Sequence, residues 1–152
     1  AGLTIHDAPE GIRVEALTDD HPLLGTLVQA DDKLRAHNAA MWRNGLLVHV
    51  PRDVVVEKPI YVRVTNTTEG GSLFWRLLVV AEPGARFSVV EELTSASEEL
   101  SGYVNAVAEI VVQEGAKVEF VSLQNLSRKS WYFASSPSSA RKPICEATAN
   151  MQ

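Results

Sequence analysis

The sequence predicts a mainly β chain whose parallel strands stack as a β-helix, a solenoid with a repeat of about 31 residues, after a short N-terminal helical segment. Three observations carry this reading. After Gly45, short runs rich in Val, Leu, Ile and aromatics alternate with Pro, Gly and Asp breaks: LLVHVP, VVVEKPIYVRV, LLVVAEPG, ARFSVVEEL, AEIVVQEG and AKVEFVSLQN. Sliding the chain by 31 residues lays LVVAEPGARFSVV (Leu78 to Val90) on EIVVQEGAKVEFV (Glu109 to Val121) without a gap. Connections such as TNTTEGGSLFW are polar or β-like, which argues against helical crossovers between parallel strands.

Three parts follow along the chain: a lead-in and helical segment over 1–44, stacked strands over 45–135, and a loop or mobile tail over 136–152. Residues 1–22 are polar and contain proline. Between Pro22 and Asn44 the apolar positions Leu23, Leu24, Leu27 and Val28, then Leu34, Ala36, Met41 and Trp42, fit one or two short amphipathic helices. Asp31 or Asp32 is the expected N-cap and Gly45 the expected stop. The stretch from Ser95 to Glu109 has helix-compatible residues, but Gly102 and the Val-rich run after it favour extended chain.

Within the repeat, Val80 falls on Val111, Gly84 on Gly115, Ala85 on Ala116, Arg86 on Lys117 and Val90 on Val121. The segment Leu47 to Glu57 falls on the same frame, with Asp53 at the glycine position and Val56 beneath Phe87 and Val118. Each unit reads as strand, tight turn, strand, and the turn position calls for positive φ, which glycine adopts freely and Asp less readily. An antiparallel sandwich with chance similarity between its turns is the competing architecture. From Ser135 the tail SSPSSARKPICEATANMQ breaks the pattern. A stack that stops after three units leaves bare strand edges, so the expectation is a truncated piece, or an open end closed by another chain, with homo-oligomers forming through those edges.

Composition narrows the function. Apolar residues are 45% and charged residues 22%, ordinary for a globular domain, and the net charge is −5 with no basic block, which leaves nucleic acid or anionic lipid without an electrostatic footprint. No apolar run approaches the length of a membrane span, and the start AGLTIHDAPEG has neither basic region nor apolar core, so the reading is cytoplasmic. The histidines His6, His21, His37 and His49 have no second ligand at close helical or strand spacing, and His49 and His37 read as structural. Cys145 stands alone and reads as an incidental thiol. The acidic pairs Glu91–Glu92 and Glu98–Glu99 point to opposite faces of a strand and read as solvated surface rather than a glycosidase pair. Neither a nucleophile elbow nor a phosphate loop is present. Catalytic, cofactor-binding and metal-ligating residues are therefore all expected to be none. A carbohydrate-binding or carbohydrate-active β-helix is the alternative, disfavoured because Asp53 gives way to Gly84 and Gly115 at the repeated turn; a cupin-like enzyme lacks its metal triad.

The segment HNAAMWRNGLLVHVPRDVVVEKPIYV (His37 to Val62) resembles the SufB- and SufD-type proteins of iron–sulfur cluster assembly. Asn38, Ala39, Ala40, Trp42, Val50, Pro51, Val54, Val56, Glu57, Pro59 and Ile60 fill the family's pattern, and RLLVVAEPGARFSVVEELTS and NAVAEIVVQEGAKVEFVSLQN look like its next two repeats. Glu91, Glu92 and Leu93 look closer to the SufD branch. The resemblance implies a right-handed parallel β-helix and a non-enzymatic scaffold subunit working with a paralogous scaffold and an ABC-type ATPase. It also implies that the pairing surface, the ATPase-docking helices and the Cys/His residues of cluster assembly lie beyond this segment. No ligand role passes to Cys145.

Overall fold

A computed structural model describes residues 2–6 and 11–140. In chain order the elements are β1 (Gly2–His6), β2 (Arg13–Ala16), α1 (Lys33–Met41), β3 (Asn44–Val50), β4 (Ile60–Asn66), β5 (Gly71–Ala81), β6 (Arg86–Ser95), β7 (Gly102–Val112), β8 (Lys117–Asn125), β9 (Ser130–Ser135) and β10 (Ser138–Ala140). They form a four-stranded sheet, β1-β4-β6-β8, and a six-stranded sheet, β10-β7-β5-β3-β2, with β9 also paired to β7.

The expected right-handed parallel β-helix is corrected by this topology. Both sheets are mixed: β1 runs antiparallel to β4 and β2 antiparallel to β3, so two mixed sheets and one helix replace a continuous parallel solenoid. The physical reason lies in the polar lead-in, whose short strands pair with the first long strand of each sheet by doubling back. Elsewhere the pairing is parallel. Leu78 lies opposite Glu109 and Val80 opposite Val111 between β5 and β7, and Arg86 lies opposite Lys117 between β6 and β8, an offset of 31 residues. The β4–β6 offset is 29, with Ile60 opposite Val89.

The inner faces of the two sheets share one core, in which Leu46, Val48, Ile60, Val62, Trp75, Leu77, Val79, Val89, Ile110 and Phe120 are buried. Burial of side chains of this size stabilises by about 1.5–3 kcal/mol each. Strand β6 alternates buried and partly exposed residues over its first half, as a strand with one wet face does, whereas β5 is buried on both faces from Leu73 to Ala81. Its outer face is covered by the lead-in, where Leu17, Leu47, Leu78 and Val80 form a second cluster against Leu23, Leu24 and Trp42.

Helix α1 starts where the Asp32 carboxylate accepts the backbone N–H groups of Leu34 (2.8 Å) and Arg35 (2.9 Å). It ends at Met41, with Trp42 in extended conformation donating its N–H to the Asn38 carbonyl at 3.0 Å. Gly45 is therefore not the stop. It lies in β3, where a Cβ would press within 3.0 Å of Leu17 and Trp42 and 3.1 Å of the Arg76 carbonyl oxygen. No helix forms over 22–28, because the N–H groups of Gly25, Leu27 and Val28 turn out toward one carboxylate, that of Glu109.

The tight turns behave as the repeat requires. Asp53, Gly84 and Gly115 have φ of 58°, 76° and 69°. Asp53 donates its N–H to the Pro83 carbonyl and Gly84 donates its own to the Glu114 carbonyl, both at 3.0 Å, which links the turns from layer to layer. A Cβ on Gly84 would collide with Asp53 Oδ1. Gly84→Ala is expected to lower stability by about 1–2 kcal/mol, the cost of a left-handed non-glycine residue. Asp53→Gly is expected to be neutral or slightly stabilising, and urea denaturation of both variants checks the pair.

Candidate functional site

Two features stand out from the packing: a polar network that holds the lead-in against the six-stranded sheet, and the strand edges at the far side of both sheets. In the first, Arg76 of β5 and Glu109 of β7 are 5% and 1% exposed and face outward from adjacent strands. Arg76 Nη1 lies 3.4 Å from Glu109 Oε1, and its Nε donates to Asn38 Oδ1 at 2.8 Å. The amide of Asn38, fully buried in α1, donates to the Asn105 carbonyl at 2.9 Å and the Trp75 carbonyl at 3.3 Å. Asn105 in turn donates to the Leu34 carbonyl at 2.9 Å. Glu109 accepts the Gly25 N–H at 2.9 Å and the Leu27 N–H at 3.1 Å. Burial pulls the Arg76 guanidinium below its ordinary pKa, and the Glu109 charge opposes that pull. Helix, lead-in loop and sheet thus share one satisfied set of buried polar groups, with the Arg76 guanidinium 5.9 Å above the Trp42 ring.

At the far side, β8 bounds the four-stranded sheet, while β9 and β10 bound the other beyond β7. Leu123 on β8 and Trp131 on β9 are 42% and 71% exposed. A row of rings crosses the outer face toward this edge: His37 packs edge-on to Phe74 at 4.6 Å, Phe74 lies 5.6 Å from Tyr103, and Tyr103 lies 5.7 Å from Phe133. Beside it a cleft of about 340 Å³ opens between α1 and β9, lined by Asp32, Leu34, Arg35, Asn105, Phe133 and Ser135 among others. Among the described residues no strand pairs with the outer edge of β8 or β9, and such an edge beside apolar rings is suited to adding another strand.

The residues singled out in the sequence are dispersed. The backbone of His6 pairs with Tyr61, His21 Nδ1 accepts the Leu23 N–H, and His37 sits exposed in the ring row. His49 lies 2.9 Å from Glu82, whose carboxyl is held below its ordinary pKa first by the Arg52 N–H and then by His49. Glu98 and Glu99 are exposed, and Glu99 pairs with Lys129. The solvated-surface reading of the other acidic pair is corrected. Glu92 is 9% exposed and takes hydrogen bonds from Tyr61 and Arg63, which hold its pKa down, Tyr61 foremost. Glu91 is 2% exposed and points into the core. Among the described residues no group of three or more His, Cys, Asp or Glu is placed to hold a metal ion. Cys145 lies outside the described residues. Arg76, Asn105 and Glu109 were not singled out beforehand. Their signal is a lone charge or amide inside an otherwise apolar run, in FWRLLVV and NAVAEIVV, one repeat apart.

Residues 63–143, more than half of the 152-residue chain, match the family described as SUF system FeS cluster assembly, SufBD core domain. The chain belongs to the SufBD family. An iron–sulfur cluster assembly SufBD family protein of Staphylococcus haemolyticus is 28% identical over 124 residues, 82% of this chain and 27% of that protein. A SufBD family protein of Staphylococcus epidermidis is 33% identical over 96 residues, and one of Staphylococcus aureus is 32% identical over 96; each pairing takes in 63% of this chain and 21% of the relative. The chain thus spans about a quarter of the length of these relatives. The SufBD match runs from β4 through β10 and includes Arg76, Asn105 and Glu109, while Asn38 lies in the block before it. No helix among the described residues is long and apolar enough to cross a membrane.

Arg76→Met leaves Glu109 buried with backbone donors alone and is expected to destabilise by about 3–5 kcal/mol. Asn38→Ala is expected to cost about 1–3 kcal/mol. It should also release α1, read as faster tryptic cleavage at Lys33 and Arg35.

Proposed function

We propose that this chain is a segment of a non-catalytic, SufD-like scaffold subunit for iron–sulfur cluster assembly in the cytoplasm. The observation that supports it most is the match of the SufBD core to residues 63–143, which takes in β8 at the far edge of one sheet and β9 and β10 at the far edge of the other. The names of the relatives speak of iron–sulfur cluster assembly. The Glu91–Glu92–Leu93 sequence favours the SufD branch over the SufB branch. In this reading the stranded part over 45–135 is the structural body, and the lead-in over 1–44 is pinned to it by Asn38 and Arg76. The partners are a paralogous Suf scaffold and an ABC-type ATPase, engaged by the whole protein. A second copy of this segment pairs through the exposed edges of β8 and β9 when nothing else covers them.

The deciding experiment is co-purification of the full-length protein with its paralogous scaffold and the ATPase. A stable complex on size-exclusion chromatography is expected, and three separately eluting proteins would overturn the reading. The segment alone, mixed with iron and sulfide, is expected to show no persistent cluster absorbance; a stoichiometric, stable cluster would contradict a purely structural role. Sedimentation of the segment is expected to show concentration-dependent self-association, and a monomer at high concentration would remove strand-edge pairing.

A further inference from the structure

Three carboxylates, on β6 and β7, are withdrawn from water, and their surroundings differ. Glu109 has Arg76 and backbone N–H donors, and Glu92 has Arg63 and Tyr61. Glu91 has no cation among the described residues. Its Oε1 accepts the Trp75 indole N–H at 2.7 Å and its Oε2 accepts the Ser122 hydroxyl at 3.1 Å, and the group is 2% exposed. A buried carboxylate with two neutral donors is poorly compensated when ionised.

The groups around it belong to different strands. Val62 of β4 and Ser122 of β8 lie opposite Glu91 across β6, and Trp75 reaches it from β5. From β9, Tyr132 packs on the core close enough to feel its charge. Among the described residues, Tyr132 is the other titratable group whose electrostatics involve Glu91. Burial raises its pKa and the Glu91 charge raises it further, so Tyr132 stays neutral while Glu91 titrates. Burial likewise raises Glu91, against the pull of Trp75 and Ser122.

We propose that Glu91 is a proton-operated switch that closes β8 and β9 onto the core when neutral and loosens them when ionised. Ser122 is contributed by β8 and Tyr132 by β9, strands at the far edges of the two sheets, so parting these strands lets water reach the charge. The direction follows from linkage. A carboxyl whose folded-state pKa is raised contributes its full stability below the ordinary carboxylate range. That contribution falls as pH rises from there to the raised value and is constant above it.

The test is backbone amide exchange and urea denaturation of the whole chain and of Glu91→Gln, compared at matched pH from 4 to 9. The wild type is expected to lose stability relative to Glu91→Gln as pH rises, and its β8 and β9 amides to exchange about tenfold faster than the variant's at the alkaline end, the factor one unit of pKa supplies, with β3 unaffected. A constant difference between the two proteins across the range overturns the proposal, as does a wild type that gains stability with pH. Ser122→Ala keeps the carboxylate but removes a donor to its ionised form, so the same transition should move to higher pH. An unmoved transition also overturns it.

Discussion

The buried pairing of Arg76 with Glu109 is the constraint on which the rest of this molecule depends. An arginine and a glutamate sit in the middle of two apolar strands, on the face that would otherwise meet solvent. Neither is tolerable there without partners, and the partners come from elsewhere in the chain: Asn38 from the helix, and backbone N–H groups from the loop at 25–28. The pair therefore dictates that the lead-in lies across the six-stranded sheet. It also explains why Gly45 has no side chain, since β3, Leu17 and Trp42 meet there with no space left. A well-packed apolar substitute for such an ion pair can be equally stable. What these charges add is a single docking position for a segment of low intrinsic helix strength.

Much of this was readable in the residues. The six Val-rich runs all became strands or strand ends, and the shift of 31 residues reappears as the register between β5 and β7 and between β6 and β8. Gly84, Gly115 and the less obliging Asp53 all adopt positive φ, as their shared place in the turn required. Strand direction in the lead-in was not readable. GLTIH and RVEA are too short and too polar to announce themselves, yet their antiparallel pairing makes both sheets mixed and overturns the solenoid. Of the one or two helices that the apolar spacing between Pro22 and Asn44 allowed, one formed; over 25–28 a distant carboxylate took the backbone donors instead.

The functional residues divide in the same manner. The Asn-Ala-Ala-x-Trp block pointed to the family, and Asn38 and Trp42 take part in the docking that the block describes. The acidic pair at 91–92 was assigned to solvated surface because neighbours on a strand point to opposite faces and cannot act as a glycosidase pair. Alternation along β6 put one of them outward toward Arg63 and the other between the sheets. Sequence alone gives a strand its two faces but not which of them another sheet will cover.

Every parallel strand pair among the described residues of this chain joins positions about thirty residues apart. Few of its stabilising contacts can form before large loops have closed, so the entropy of closure is paid early and the reward arrives late. Such a chain is expected to mature over milliseconds to seconds rather than microseconds. During that interval its apolar β-segments are open to neighbours emerging from other ribosomes, which places a premium on chaperone access and on dilute synthesis.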